Sequence, residues 1–158
     1  MTDHWYAAQA QSASFNFKTI PTSEEWFEVY EIVADLYAFY EPRHYEGTVV
    51  NLLVGERKAA LIDTGCGIGN LRQAVEEVTN KPVIVINTHT HVDHLGSNRQ
   101  FDEIAMFDHP WCHHVADKGV SHHTLEAEIL ADNLVIKPWP RGFDPNRFLL
   151  RPSRSIIG

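Results

Sequence analysis

Short apolar runs separated by turn-forming residues fill the first two thirds of the chain. Residues 26–40 are rich in aromatic and β-branched types, and the alternation of Phe27 with Val29 favours two strands that turn near residues 34–35. The spacing of Phe27 and Tyr30 also fits a helix, so the pattern alone leaves both structures open.

The next segment predicts a hairpin, a helix and a buried strand. Residues 49–54 and 59–62 are apolar and flank a polar turn, and the second run leads into the turn-forming residues 63–67. Residues 70–78 carry apolar side chains at helical spacing. Residues 82–86 are almost wholly apolar, which is typical of a strand in a sheet that is covered on both faces.

The last third predicts a further strand and two helices. Residues 104–107 favour a strand, and residues 110–117 favour a helix with proline in its first turn. Residues 124–131 favour a second helix, with Thr124 as its N-cap. From residue 137 onward, repeated prolines predict irregular structure.

These elements predict one domain of the α/β class, a mixed sheet flanked by helices. The length of 158 residues suits a single domain with a real core. Residues 1–22 are polar and aperiodic, so we expect them to form a mobile or loosely attached N-terminal arm. Residues 23–158 then form the domain.

The net charge, the apolar runs and the cysteines of the chain restrict the classes of protein to which it can belong. The net charge of −8 argues against a nucleic-acid partner, since proteins that bind a phosphate backbone are usually basic. No apolar run approaches the length of a membrane span, and the N-terminus does not resemble a secretory signal. The two cysteines do not form a disulfide framework. We therefore expect a cytoplasmic protein with reduced thiols.

Four potential metal ligands lie within six consecutive residues that closely follow the apolar run 82–86. They are His89, His91, Asp93 and His94. Imidazole and carboxylate groups are ligands that zinc prefers, and zinc promotes hydrolysis by lowering the pKa of bound water. His89 and His91 can point the same way in an extended segment, whereas the adjacent Asp93 and His94 suggest a second set. The spacing therefore predicts two neighbouring metals.

Two sequence blocks together resemble the metallo-β-lactamase fold superfamily. The first is Ala60-Leu-Ile-Asp63-Thr-Gly65, and the second is residues 85–98, which contain the four ligands. The resemblance covers about residues 26–110. It implies the first half of a four-layer αββα sandwich made of two similar halves.

The resemblance also implies roles for individual residues. His89 and His91 would bind the first metal, and Asp93 and His94 would bind the second. Asp93 would also be catalytic, because it would orient the attacking water. Asp63 would brace the ligand loop, as ligand histidines need oriented partners. Two zinc ions are implied per complete site, with iron or manganese as alternatives.

The family's second half supplies a further His, a bridging Asp and a final His, and nothing after residue 110 resembles these motifs. We therefore expect a truncated domain that lacks the C-terminal half, with an apolar sheet face left bare. The expected partners are a small-molecule substrate and either the missing half or further copies of the chain.

Three functions remain open on this basis. The first is a metal-dependent hydrolase of an ester, thioester, lactone or amide, among which a thioesterase or lactonase suits the predicted compartment. The second is a non-catalytic half-domain that acts through self-assembly, and the third is a di-iron redox relative.

Further metal-binding residue types lie outside the motif. Cys66 either faces the site or is a small buried residue of its turn. A second cluster either binds a soft divalent metal or consists of surface residues on two helices, and its members are His109, Cys112, His113, His114, His122 and His123.

Overall fold

A computed structural model describes residues 16–150 and the backbone of residues 155–157. Within this part of the chain, eight strands form one sheet in which the order of strands follows the order of the sequence. The first five strands are antiparallel, and the last three continue the sheet in parallel. The strands are β1 (Lys18–Ile20), β2 (Glu28–Val33), β3 (Leu36–Tyr40), β4 (Val49–Val54), β5 (Ala59–Ile62), β6 (Val83–Ile86), β7 (Glu103–Met106) and β8 (Ser155–Ile157).

Residues 26–40 form the two predicted strands and not a helix. β2 and β3 pair antiparallel, and Asp35 in their turn has a φ of 64°. Aspartate tolerates this left-handed conformation better than most residues do, which stabilises the tight turn. The predicted hairpin of β4 and β5 is also confirmed.

A crossover from β5 to β6 positions the ligand motif. It contains helix α1 (Leu71–Val78), whose N-cap Asn70 accepts a hydrogen bond from the Gln73 amide. β5 and β6 pair in parallel with Ile62 opposite Ile86. Because parallel strands end at the same edge of a sheet, the turns that follow β5 and β6 lie side by side.

The helical segments after β6 differ in detail from the prediction. Helix α2 (Val92–Leu95) and a 3₁₀ turn (Asn98–Gln100) precede β7, and α3 (Pro110–Lys118) confirms the predicted helix. Helix α4 (His122–Leu125) continues as a π-helical turn, Glu126–Leu130.

The predicted cap of α4 is wrong by three residues. Ser121 is the N-cap, and its hydroxyl accepts from the Thr124 amide. Both residue types cap helices well, so the choice is made by tertiary packing, which buries Leu125 and Ile129. The helix therefore begins one turn before the predicted position.

The two faces of the sheet differ in burial. On the face covered by helices, Leu52, Leu61 and Val85 are fully buried. On the opposite face, Leu53 and Ile86 are 46% and 39% exposed. The prediction that residues 82–86 are covered on both faces is therefore wrong for the described residues. The expected apolar face is present and partly open to solvent.

The predicted arm of residues 1–22 is only partly described, because residues 1–15 lie outside the described residues. Lys18–Ile20 form strand β1 and pair with β2, so this stretch is not a loose arm. The side chain of Lys18 adds an ion pair with Glu31 across the two strands, at 2.6 Å. Among the helices of the described residues, none is long and apolar enough to cross a membrane.

Candidate metal centre

The four predicted ligands lie at the edge of the sheet where β5 and β6 end. His89 and His91 belong to the segment that leaves β6, and His91 has the extended conformation that precedes α2. Asp93 and His94 lie in the first turn of α2. The motif therefore changes from extended chain to helix between its two pairs of ligands.

This change of conformation brings the side chains together. The ring centre of His89 lies 4.0 Å from that of His94 and 4.7 Å from that of His91. The His94 Nε2 atom lies 3.1 Å from the Asp93 Oδ2 atom, so two adjacent residues do converge at one point. The division of the four ligands between two metals stays a prediction.

Asp63 fixes the orientation of His94. Its Oδ2 atom lies 2.9 Å from the Nδ1 atom of His94 and accepts from the Thr88 hydroxyl at 2.7 Å. Its Oδ1 atom accepts from the Thr88 amide at 2.8 Å. Burial opposes ionisation of Asp63, but the hydrogen bonds from His94 and Thr88 outweigh it and hold the pKa of this carboxyl below its usual range.

The Asp63 contact determines which ring nitrogen of His94 can bind a metal. A carboxylate at Nδ1 holds a proton there, which leaves Nε2 as the ligand atom. Nε2 is the atom that faces Asp93. Hydrogen bonds to Asp63 and then to Asp93 raise the pKa of His94 to about 10. Without a metal, the imidazole is therefore protonated at neutral pH.

The donor set fits a divalent metal. Ligand atoms of Asp63, His89 and His94 lie within 4.8 Å of one another. Asp63 is 5% exposed and both its oxygens already accept hydrogen bonds, so its bracing role stays the prediction for this residue. The imidazoles and the Asp93 carboxylate are donor types that suit zinc, manganese or iron. Among the described residues, His91 and Asp93 do not belong to this group of three.

The turn that carries the ligands is seated on residues 63–67, which we call the Asp63 loop. The Thr64 amide donates to the His94 carbonyl at 2.9 Å, and the Gly96 amide donates to the Gly65 carbonyl at 2.8 Å. A Cβ on Gly96 would lie 2.2 Å from the Cys66 carbonyl carbon. Glycine is therefore required for this close approach.

Two buried amide side chains, Asn87 and Asn98, join the ends of the motif. Each donates to the other, at 3.2 Å and 2.8 Å, and Thr64 donates to Asn98 at 2.8 Å. Asn87 also donates to the His94 carbonyl at 3.2 Å. Sequence reasoning missed this network, although a polar residue directly after a buried strand is a signal for it.

A space of about 270 Å³ opens beside His89. Its walls include Thr90, Phe107, His109 and Cys112, and Phe107 is 74% exposed. The space lies directly against a predicted ligand and has an apolar side.

The second cluster of histidines does not form one site. His113 pairs with Asp108 at 2.8 Å, His114 stacks on Trp111, and His122 lies near Glu126. Only His109 and Cys112 line the space beside His89. Among the described residues, these side chains do not form a group of three close enough to hold a metal.

Cys66 is a buried residue of its turn. Its side chain is fully buried and lies 3.7 Å from the Thr48 hydroxyl. Burial raises the pKa of the thiol well above its ordinary value, so the thiolate needed for metal binding is disfavoured.

Comparisons with known proteins identify the family of the chain. The family model of the metallo-beta-lactamase superfamily matches residues 45–150. The human acyl-coenzyme A thioesterase MBLAC2 is 30% identical over 132 residues, which is 73% of this chain and 41% of that protein, and the bovine MBLAC2 matches to the same extent. The chain thus spans about two fifths of the length of these relatives.

Solved structures give similar matches. A metallo-beta-lactamase from Pontibacter korlensis is 30% identical, with 52% of this chain and 44% of that chain covered and a TM-score of 0.38. The inverting sec-alkylsulfatase Pisa1 from Pseudomonas sp. is 22% identical, with coverage of 56% and 16% and a TM-score of 0.43. The family match spans more than half of the sequence and contains the Asp63 loop and all four predicted ligands, and on this ground the chain belongs to the metallo-beta-lactamase superfamily.

Proposed function

We propose that this chain carries the metal-binding part of a hydrolase that cleaves an ester-type bond, with thioesters as the favoured class. The observation that carries the proposal is the convergence of His89, His91, Asp93 and His94 at one sheet edge, with His94 anchored through Nδ1 by Asp63. Such an anchored imidazole is the usual arrangement of a metal ligand.

The proposed metal is zinc, with two ions per complete site and with iron or manganese as alternatives. His89 and His91 would hold one ion, and Asp93 and His94 the other. When bound, the metal would supply Lewis acidity and lower the pKa of a coordinated water.

The protein's own groups position the reactants. The Asp93 carboxylate lies 3.1 Å from the Nε2 atom of His94, where it can orient an attacking water by accepting a hydrogen bond from it. Asp63 keeps the proton of His94 on Nδ1. The space beside His89, with Phe107 on its wall, can take an apolar acyl group. The thioesterase relative supports a thioester substrate.

Further metal ligands are part of the proposal. Four protein ligands give two per metal, whereas a catalytic zinc commonly has three. We propose that self-association or a C-terminal half supplies the remaining donors and covers the apolar face at Leu53 and Ile86. Sedimentation at several concentrations tests self-association, and a concentration-independent monomer would contradict it.

The function is tested by metal analysis together with hydrolysis of a thioester, a lactone and a carboxylic ester. We expect zinc in the purified protein and fastest turnover of the thioester. Asp93→Asn should abolish turnover, while Asp132→Asn, which changes an exposed carboxylate paired with Lys137, should not. A metal-free, inactive protein would instead support a role in assembly, and a redox-active iron pair would support the redox alternative.

A further inference from the structure

Glu41 is a buried carboxylate that the proposed chemistry does not use. It follows β3 directly and its side chain is fully buried. Its Oε1 atom accepts from the Trp26 indole nitrogen at 2.6 Å, and its Oε2 atom accepts from the Cys66 amide at 2.9 Å. A buried carboxylate is costly unless it is well partnered, and these two donors offset part of that cost.

The carboxylate lies directly against the Asp63 loop. A Cβ on Gly65 would lie 2.6 Å from the Glu41 Oε2 atom and 3.0 Å from its carboxyl carbon. Gly65 also has a φ of +68°, which favours glycine. The loop therefore packs closely against the Glu41 carboxylate at Gly65, and the Cys66 amide donates a hydrogen bond to that carboxylate.

The same loop holds the ligand turn on its other side. Thr64 and Gly65 make the backbone hydrogen bonds to His94 and Gly96, and Asp63 contacts the His94 ring. A path of hydrogen bonds and loop backbone thus runs from Glu41, through a loop of five residues, to a predicted metal ligand. This path joins β3 to α2, two elements that are distant in sequence.

We propose that Glu41 is a positioning residue for the metal centre: its buried carboxylate fixes the Asp63 loop, and the loop in turn fixes His94. The importance of this role for catalysis rests on the proposed function. The contacts that connect Glu41, the Asp63 loop and His94 do not depend on it. A carboxylate suits the position because both partners are N–H donors and each needs an acceptor.

The test compares Glu41→Gln with Trp26→Phe in the metal-free chain. The glutamine removes the charge that strengthens both contacts, and its NH₂ group faces either the Cys66 amide or the Trp26 indole, so the Cys66 contact is lost or weakened in either orientation. Trp26→Phe removes the indole donor and core volume but leaves the Cys66 contact with Glu41 in place. Both variants should lower thermal stability, so stability alone does not separate positioning from packing.

Amide hydrogen exchange separates the two roles. We expect Glu41→Gln to speed exchange at the Thr64 and Gly96 amides at least tenfold relative to amides inside β4. Trp26→Phe should change this ratio by less than threefold. Unchanged relative exchange in Glu41→Gln would overturn the proposal. If Glu41→Gln does not fold, Glu41→Asp, which keeps the charge but shortens its reach, should give the same local effect.

Titration with zinc alone, and with cobalt as a spectroscopic probe, gives the second readout. We expect at least tenfold weaker binding and an altered cobalt spectrum in Glu41→Gln, and wild-type behaviour in Trp26→Phe. Wild-type affinity and spectrum in Glu41→Gln would also overturn the proposal. If the unmodified chain binds no metal, the proposed function fails, and the exchange experiment still decides the role of Glu41.

Discussion

Gly67 and Gly96 approach so closely that a Cβ on Gly67 would lie 2.4 Å from the carbonyl oxygen of Gly96. Gly67 also has a φ of +81°. The contact seats the ligand turn on the Asp63 loop, and two backbone segments meet here without side chains between them.

Gly67→Ala should therefore be costly, because it adds backbone strain and a clash at one position. We expect a loss of about 2–4 kcal/mol in the free energy of unfolding, measured by urea denaturation. Gly142→Ala is the matched control, since Gly142 has a φ of +83° but no atom within 4 Å of an added Cβ. It should lose only about 1 kcal/mol. Equal losses would show that the contact between Gly67 and Gly96 is not tight.

Asp63→Asn should weaken metal binding by roughly 10–100-fold, measured by zinc titration calorimetry. The asparagine keeps the size of the side chain and tolerates the φ of 63°, so backbone strain is not added. It removes the charge that holds the proton on His94 Nδ1. Asp132→Asn should bind zinc like the unmodified chain, and equally tight binding by Asp63→Asn would contradict the bracing role.

The free energy of unfolding should depend on pH through the ionisation of Glu41. Burial raises its pKa from 4.5 to about 7, against the opposing hydrogen bonds from Cys66 and Trp26. The folded chain then keeps a proton that the unfolded chain loses, so the stability from Glu41 is fully present below pH 4.5 and is lost as pH rises through 7.

The expected loss is about 3 kcal/mol over this window. It is measured as the difference in unfolding free energy between the metal-free chain and Glu41→Gln at a series of pH values. As pH rises, the free energy of unfolding of the unmodified chain should fall relative to that of Glu41→Gln. A difference that is constant with pH would place the pKa of Glu41 near its ordinary value.

Zinc should stabilise the folded chain through the ligand motif. At a free concentration one hundred times the dissociation constant, the gain is about 2.7 kcal/mol. His113→Gln should show the same gain, because His113 pairs with Asp108 outside the motif. His94→Gln should show little gain at that zinc concentration. A full gain in His94→Gln would mean that zinc binds elsewhere.

Much of the fold and the site could be predicted because the signals are local. The apolar runs of β4, β5 and β6 lie between clear turns, and the four ligands lie within six residues. Asp63 follows β5 and the ligand turn follows β6, so the parallel pairing of these strands brings the two together. The order of strand, helix and strand already suggests this pairing.

The remaining features depend on contacts between distant parts of the chain. Glu41 contacts an amide 25 residues away, and no spacing rule connects the two positions. The hydrogen bonds between Asn87 and Asn98 likewise cannot be predicted from the sequence, because they form only when the turn between these residues folds back on itself. The capping of α4 by Ser121, and not by Thr124, is not evident from the sequence, because two good capping residues lie three positions apart.

The crossover from β5 to β6 has a consequence for folding. Asp63 and His94 are 31 residues apart, so one βαβ unit gathers the brace and all four predicted ligands. The entropy of loop closure grows by only about 0.6 kcal/mol for each doubling of loop length. We therefore expect closure of this one unit to bring the brace and all four predicted ligands together in a single step.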